Sequence, residues 1–278
     1  MENTKLTIKA SLIISVYTNT AFLKVVLDSL QFQTDNRFEV IISEDGEDAN
    51  MAEFIKNYPF THSYQHLSRP DQGWQKNHAL NESIRNAKAD WLVFIDGDCV
   101  LHPRFMEFHI ADADPQRILA GKRIKLDPGT SLCLLDGTLS PITMNRYLLN
   151  NFSKIKKNGA QFVEEGFFID PSGLLGKLMG KRKMKQIKGC NMSFHKEAIR
   201  AINGFDEDYI RPAVGEDIDL LWRFEGLGFK IDSVRNRAVQ YHLYHKESWT
   251  DQAENWKMME NNIALKNYRC ANGLIKED

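Results

Sequence analysis

Over the first hundred residues, short runs that are apolar at nearly every position alternate with stretches whose apolar residues recur at helical spacing. Residues 11–16 (SLIISV), 38–43 (FEVIIS) and 91–95 (WLVFI) are of the first kind. A strand without polar alternation is one buried on both faces, as in a parallel sheet. Phe22, Val25, Val26, Leu27 and Leu30 recur at helical spacing behind Thr20, a residue suited to a helix N-cap. A short helical stretch then runs to Tyr58, followed by a strand at 62–67. The loop Arg69-Pro70-Asp71-Gln72-Gly73 leads into a helix from about 75 to 88. Strands alternating with helices imply βαβ units, hence a parallel sheet with right-handed crossovers.

Beyond residue 98 the pattern changes. Pro103 starts a helix, 118–124 reads as a strand, and 127–188 is mixed, with scattered glycine and proline, as expected of an insertion on the same domain. Order resumes with a strand at 190–195 and a helix at 196–202. A further helix is opened by Gly215-Glu216-Asp217 and closed by Gly228 at its C-terminal cap. Strands follow at 230–233 and 238–244, and a terminal helix from 251 to about 271 places Trp256, Met259, Ile263 and Tyr268 near one packing face. The expected organisation is one α/β domain over 1–247, carrying the insertion at about 127–188, with a C-terminal helical extension, 248–278, packed on it.

Composition narrows the class. The 278 residues are 42% hydrophobic and 26% charged, enough for a large core without covalent staples. A formal net charge of -1 provides no global basic field, so nucleic acid is not an expected partner. Cys99, Cys133, Cys190 and Cys270 are widely scattered with no C-x-x-C spacing, which argues against zinc and against a disulfide framework. No run approaches the roughly 18 uninterrupted apolar residues of a membrane span. The expectation is a cytoplasmic protein that reaches at most the inner face of a membrane. Residues 177–188 (KLMGKRKMKQIK) read as a solvated basic face, with contact to anionic headgroups or a phosphate-bearing acceptor as the alternative.

Chemistry concentrates at strand ends. The run 91–95 is followed at once by Asp96-Gly97-Asp98, and ligands of open α/β sheets bind beyond the carboxyl ends of the strands. Gly97 allows a tight turn, so both carboxylates can approach one hard divalent cation that also binds phosphate oxygens. A strand-ending turn is the bland alternative for so short a motif. Glu44-Asp45 follows the second strand, Glu216-Asp217 stands at a helix start, and His242 and His245 lie at a late strand end. Three residues apart in an extended chain, the two histidines would face opposite sides, leaving one for a metal.

Together these residues resemble the family 2 inverting glycosyltransferases of the GT-A fold over roughly residues 10 to 247. The carriers are SLIISVY, VIISEDG, QKNHALNESIRNAKADWLVFIDGD, GCNMSF, NGFDEDY, GEDIDLLWRFEGLG and YHLYHKE. The last four are similar to the branch of chondroitin-polymerising and galactosyltransferase-like domains. The resemblance implies a Rossmann-like, mostly parallel sheet flanked by helices, a smaller mixed acceptor-side region, and a nucleotide-sugar donor, most simply a UDP-sugar. It implies Mn²⁺ or Mg²⁺ held at Asp96 and Asp98, with Asp98 the direct ligand and His245, or failing that His242, the imidazole. Asp217 is implied as general base, with Glu216 holding a glycan or lipid-linked acceptor. Val16, Tyr17, Glu44 and Asp45 would frame the nucleobase, with Asp45 or Glu44 accepting from a base N–H. Lys76 and Asn77 would approach the diphosphate or ribose, and Gly189, Cys190 and Asn191 the donor sugar. Cys190, with no evident basic partner, is not read as a nucleophile. The chain departs from the common family pattern in carrying Ser15 before Val16-Tyr17, and Glu44-Asp45-Gly46-Glu47 after the second strand. Two alternatives differ in class. A sugar nucleotidyltransferase would open on a glycine-rich phosphate loop, yet residues 11–20 contain no glycine. A catalytically silent nucleotide-sugar-binding module would have little need of the carboxylates and histidine.

Overall fold

The computed structural model describes residues 7–179, 184–246 and 250–276. Strand β1 (Ala10–Val16) leads to helix α1 (Thr20–Leu30), β2 (Phe38–Gly46), α2 (Ala49–Asn57), β3 (Tyr64–Pro70), α3 (Lys76–Asn86) and β4 (Trp91–Asp96). There follow β5 (Cys99–Leu101), α4 (Phe105–Ala111), β6 (Arg117–Ala120), β7 (Ile124–Lys125), α5 (Pro128–Leu135), α6 (Met144–Lys157) and α7 (Leu174–Met179). The remainder comprises β8 (Met192–His195), α8 (Lys196–Ala201), α9 (Asp219–Gly226), β9 (Lys230–Ser233), β10 (Gln240–His242) and α10 (Ala253–Leu265).

Seven strands form one sheet in the order β3-β2-β1-β4-β8-β6-β9, parallel from β3 to β4. β8 runs antiparallel to both β4 and β6, and β9 pairs parallel with β6. Alternate strand residues serve two cores. Leu12, Ile14, Val93 and Ile95 pack with α1 and α2 on one face, while Ile13, Leu92 and Phe94 meet α3, α8 and α9 on the other. Burial on both faces is why the central strands lack polar alternation. Strands are added to one side of β1 through β2 and β3 and then to its other side by β4, so a crevice opens at this switch, beyond the carboxyl ends of β1 and β4.

A three-stranded sheet, β5-β10-β7, sits beside this crevice. Asp96-Gly97-Asp98 carries the chain from one sheet into the other, since β4 ends at Asp96 and β5 begins at Cys99. The expected strand at 118–124 is therefore two strands in different sheets: β6 lies between β8 and β9 in the large one, and β7 pairs with β10.

Other boundaries also move. Asn19, rather than Thr20, caps α1, accepting a hydrogen bond from the Phe22 N–H at 3.0 Å. Glu216 and Asp217 lie in a π-helical turn, Val214–Ile218, that precedes α9, and Gly228 follows α9 in the left-handed region expected of a terminating glycine. The terminal helix stops at Leu265, where Lys266 takes a left-handed conformation. Its buried residues are Asn255 and Met259, whereas Trp256 and Ile263 are exposed. Met259 packs with Tyr209 and Val214, so the extension buttresses the Val214–Ile218 turn. The basic stretch 177–188 falls partly outside the described residues, at 180–183. Among the described residues no helix is long and apolar enough to cross a membrane.

Candidate active site

A cleft of about 660 Å³ opens at the crevice, lined by Val16, Tyr17, Asp45, Lys76, Asp96, Asp98 and His245 among others. That volume suits a ligand the size of a nucleotide sugar. At its floor the Gly97 N–H donates to the Ser15 carbonyl at 2.8 Å, drawing the ends of β1 and β4 together. A Cβ at Gly97 would lie 2.8 Å from the Val16 side chain and 3.1 Å from the Ser15 oxygen. Glycine is required there for close approach, and not, as a turn reading suggests, for an unusual φ.

Asp98, His242 and His245 converge. Asp98 Oδ2 lies 3.1 Å from His245 Nε2 and 3.4 Å from His242 Nε2, and the two imidazole nitrogens are 3.3 Å apart. The small sheet is the device that achieves this: Cys99 pairs with His242 across β5 and β10, and the Leu243 N–H donates to the Asp98 carbonyl at 2.9 Å. Alternation along a strand predicts opposite-facing histidines, but β10 ends at His242 and the chain turns, so both rings reach the same carboxylate oxygen. Burial opposes ionisation of Asp98, yet hydrogen bonds from the two histidines hold its carboxyl well below the usual range. One carboxylate oxygen and two imidazole nitrogens within 4.8 Å of one another form a donor set that fits a divalent transition-metal cation such as Mn²⁺, which takes both carboxylate and imidazole ligands.

Asp96 is turned elsewhere. Its Oδ1 accepts from Lys76 Nζ at 2.8 Å, and its Oδ2 lies 3.6 Å from the Arg123 guanidinium. Lys76 also reaches Glu216 Oε2 at 2.7 Å, so one ammonium joins the two acidic motifs. Asp217 is beside this pair, with the Gly189 N–H donating to it and Lys188 Nζ 3.8 Å from Oδ2. Burial pushes its carboxyl up to about 6, against the opposing pull of Lys188.

Tyr17 and Asp45 also line the cleft. The Tyr17 ring lies over Gly46, where a Cβ would stand 2.9 Å from it, and its hydroxyl donates to Asp71 Oδ2 at 2.7 Å. Asp45 Oδ2 accepts from the Gln75 N–H at 2.8 Å, while its buried Oδ1 has no hydrogen-bond partner among the described residues.

Several sequence-predicted residues occupy other positions. Glu44 faces the interior, 1% exposed, bound to His66 Nε2 at 2.6 Å and to the Asp48 N–H at 2.7 Å, because alternation along β2 sends it opposite to Asp45. Asn77 is fully buried and donates to the carbonyls of Asp206 and Gly215, tethering the turn before α9 to α3. Asn191 is likewise buried and donates to the carbonyls of Lys122 and Ala238. Cys190 does have a basic partner: Arg123 Nη1 lies 2.7 Å from its sulfur. Arg123 escaped sequence reading because an isolated charge in an irregular stretch carries no periodic signal; Lys188 was read only as the end of the basic run 177–188, and Asp71 only as part of the 69–73 loop.

Comparison with known proteins identifies the family and the fold. The model of glycosyl transferase family 2 matches residues 11–158, and that of the N-terminal domain of galactosyltransferase matches 174–246. The hyaluronan synthase of Pasteurella multocida is 22% identical over 267 residues, covering 92% of this chain and 26% of its own length. A chondroitin synthase of Escherichia coli is 25% identical over 252 residues, covering 87% and 36%. The chain thus spans about a quarter to a third of the curated relatives it matches. Among solved structures, S. aureus TarS 1–349 in complex with UDP-GlcNAc superposes with a TM-score of 0.59 at 13% identity, covering 93% of this chain and 66% of that one. The mannosyltransferase PcManGT from Pyrobaculum calidifontis, in complex with GDP-Man and Mn²⁺, gives 0.55 at 14% identity, covering 95% and 64%. Both share the mostly parallel sheet and flanking helices described above. Since its family model covers more than half the chain, the protein belongs to glycosyl transferase family 2, with the GT-A fold.

Proposed function

We propose that the protein is a metal-dependent inverting transferase that moves a sugar from a nucleotide sugar, most simply a UDP-sugar, to a hydroxyl of a glycan or lipid-linked acceptor in surface polysaccharide assembly. One observation supports this reading: the cleft is lined by Asp98 and His245 of a metal-competent donor set and by Lys76, whose ammonium joins Asp96 to Glu216, the neighbour of the raised carboxyl of Asp217. The likeness to polysaccharide synthases, and to structures holding UDP-GlcNAc or GDP-Man with Mn²⁺, supports it.

Asp98, His242 and His245 would hold Mn²⁺, for which imidazole ligation is better suited than for Mg²⁺. A divalent cation bound there offsets the negative charge that gathers on a departing diphosphate. Tyr17 and Val16 offer an apolar wall to the base, and the unpartnered Asp45 Oδ1 an acceptor for a base N–H, as uracil presents. Asp217 takes the proton of the acceptor hydroxyl as it attacks the anomeric carbon opposite the leaving group, which inverts that centre. A carboxyl titrating near 6 is ionised at neutral pH and more basic than an ordinary aspartate. Glu216, anchored by Lys76, orients the acceptor, and Gly189 holds Asp217 in line.

The test is release of UDP from a panel of UDP-sugars, with an oligosaccharide acceptor, in Mn²⁺ and in EDTA. Metal-dependent release from at least one donor is expected. No release from any donor, with UDP still bound, would identify a binding module without transfer.

A further inference from the structure

A basic and apolar face lies on the insertion, outside the cleft. In α6, Arg146, Leu149, Phe152 and Lys156 recur three or four residues apart, which sets them on one side of the helix, and Lys157 adjoins them. All five are exposed, Leu149 at 67%. The segment 160–168 returns along this side. The Ala160 N–H donates to the Ile155 carbonyl at 3.0 Å, the Phe152 and Phe167 rings are 6.2 Å apart, and the Phe168 N–H donates to Asn145 Oδ1 at 2.8 Å. Phe162, near the start of this return, is 52% exposed and stands in left-handed backbone with φ 54°. A bulky aromatic residue is strained there, where glycine or asparagine would not be. We infer that this face seats the protein on a membrane surface that carries anionic lipid.

Charge selects the occupant. Residues 144–169 carry four cations, Arg146, Lys154, Lys156 and Lys157, against one exposed carboxylate, Glu164, because Glu165 is buried and paired with Arg235. Exposed leucine and phenylalanine ringed by cations match a bilayer, whose interface takes up the apolar side chains while its anionic headgroups attract the basic ones. A nucleic acid would match the cations alone and leave Leu149 and Phe162 in water. The three lysines of the last turn also suit the helix dipole, but Arg146 in the first turn opposes it, so helix capping does not account for the pattern. Backbone pairing joins this face to the candidate active site. His242 pairs with Lys125 across β10 and β7, and Lys125 bridges to Gln161, the residue before Phe162. Two strand spacings, about 10 Å, separate His242 from that segment. A bilayer under α6 therefore lies close to the cleft, where a lipid-linked acceptor would present its hydroxyl. The seating itself does not depend on the transfer reading.

The full-length protein is sedimented with vesicles of phosphatidylcholine alone and of phosphatidylcholine mixed with phosphatidylglycerol, at low and at high salt. Sedimentation with the mixed vesicles only, weakened about tenfold or more by high salt, is expected. Neutralising the face with Arg146→Gln, Lys156→Gln and Lys157→Gln together should lower the partition coefficient about a hundredfold, at about fivefold for each charge, and Leu149→Asp about tenfold. UDP release in solution should be unchanged in both variants, which shows that they fold. Lys177→Gln with Lys185→Gln, in the other basic stretch, should sediment as the wild type does. Wild-type protein that stays in the supernatant of anionic vesicles overturns the proposal, as does equal sedimentation of the triple variant, or loss of binding in the Lys177 and Lys185 variant alone. A dimer in light scattering that Leu149→Asp dissolves would give the face to a second copy of the chain instead. Vesicle binding by a protein that releases no UDP would uphold this inference while defeating the transfer reading, and UDP release without vesicle binding would do the reverse.

Discussion

The Lys76 ammonium bridges Glu216 Oε2 at 2.7 Å and Asp96 Oδ1 at 2.8 Å, tying the end of β4 to the turn before α9. All three side chains are less than a quarter exposed, so Glu216 depends on this cation for its charge balance, and Asp96 is balanced by it together with Arg123. Removing one partner of a buried ion pair leaves the other uncompensated.

Lys76→Met is accordingly expected to cost about 2–4 kcal/mol of stability, with two carboxylates left against each other. Urea unfolding followed by tryptophan fluorescence measures it. A variant as stable as the wild type would mean that water already neutralises Asp96 and Glu216.

Because both imidazoles face Asp98 Oδ2, neither is a spectator. His242→Ala and His245→Ala should each weaken Mn²⁺ binding by about tenfold or more, as expected when one of a small set of ligands is lost. Titration of free Mn²⁺ by electron paramagnetic resonance gives the affinities. Wild-type affinity in either single variant would remove that histidine from the ligand set.

Asp217 is predicted to be a site of stored cost. Its folded carboxyl titrates near 6 against an ordinary 3.8, so between these values the folded state holds the additional proton. Stability is therefore lost as pH rises through that window and stays lowered above it. Asp217→Asn should gain about 1–3 kcal/mol at pH 8 and nothing below about pH 4, while abolishing transfer. In the wild type, transfer should fall on the acid side of about pH 6, the value to which burial moves this carboxyl. Paired unfolding curves at the two pH values, with UDP release, decide it; a destabilised variant at pH 8 would contradict the burial cost.

Gly97→Ala places a methyl group against Val16 and the Ser15 carbonyl. The strand ends must separate, at a cost of about 1–3 kcal/mol by the usual scale of overpacking. Asp96 and Asp98 move with them, so nucleotide affinity should fall too. Calorimetric melting and UDP titration check both, and unchanged values would show the crevice floor to be compliant.

The fold was legible where burial is two-sided. The run WLVFI is apolar at every position because β4 sits in mid-sheet, and its acidic end had to fall in the crevice of a parallel sheet. Sequence reading failed where a face or a sheet had to be chosen. Glu44 and Asp45 are equally acidic, and only the pleat of β2 sends one to His66 and the other to the cleft. The family resemblance placed Asn77 at the diphosphate or ribose, whereas the fold buries it as a backbone tether to Asp206 and Gly215.

The sequence by itself determined the βαβ core, the acidic motif beyond β4 and the Glu216-Asp217 pair, because hydrophobic periodicity and residue chemistry are local properties. Only the tertiary structure decided that His242 and His245 share one carboxylate, that Lys76 unites Asp96 with Glu216, and that Cys190 meets Arg123. These contacts join segments far apart in the chain, and their geometry is fixed by strand register in the small sheet and by packing around the crevice, neither of which leaves a periodic trace in the order of residues.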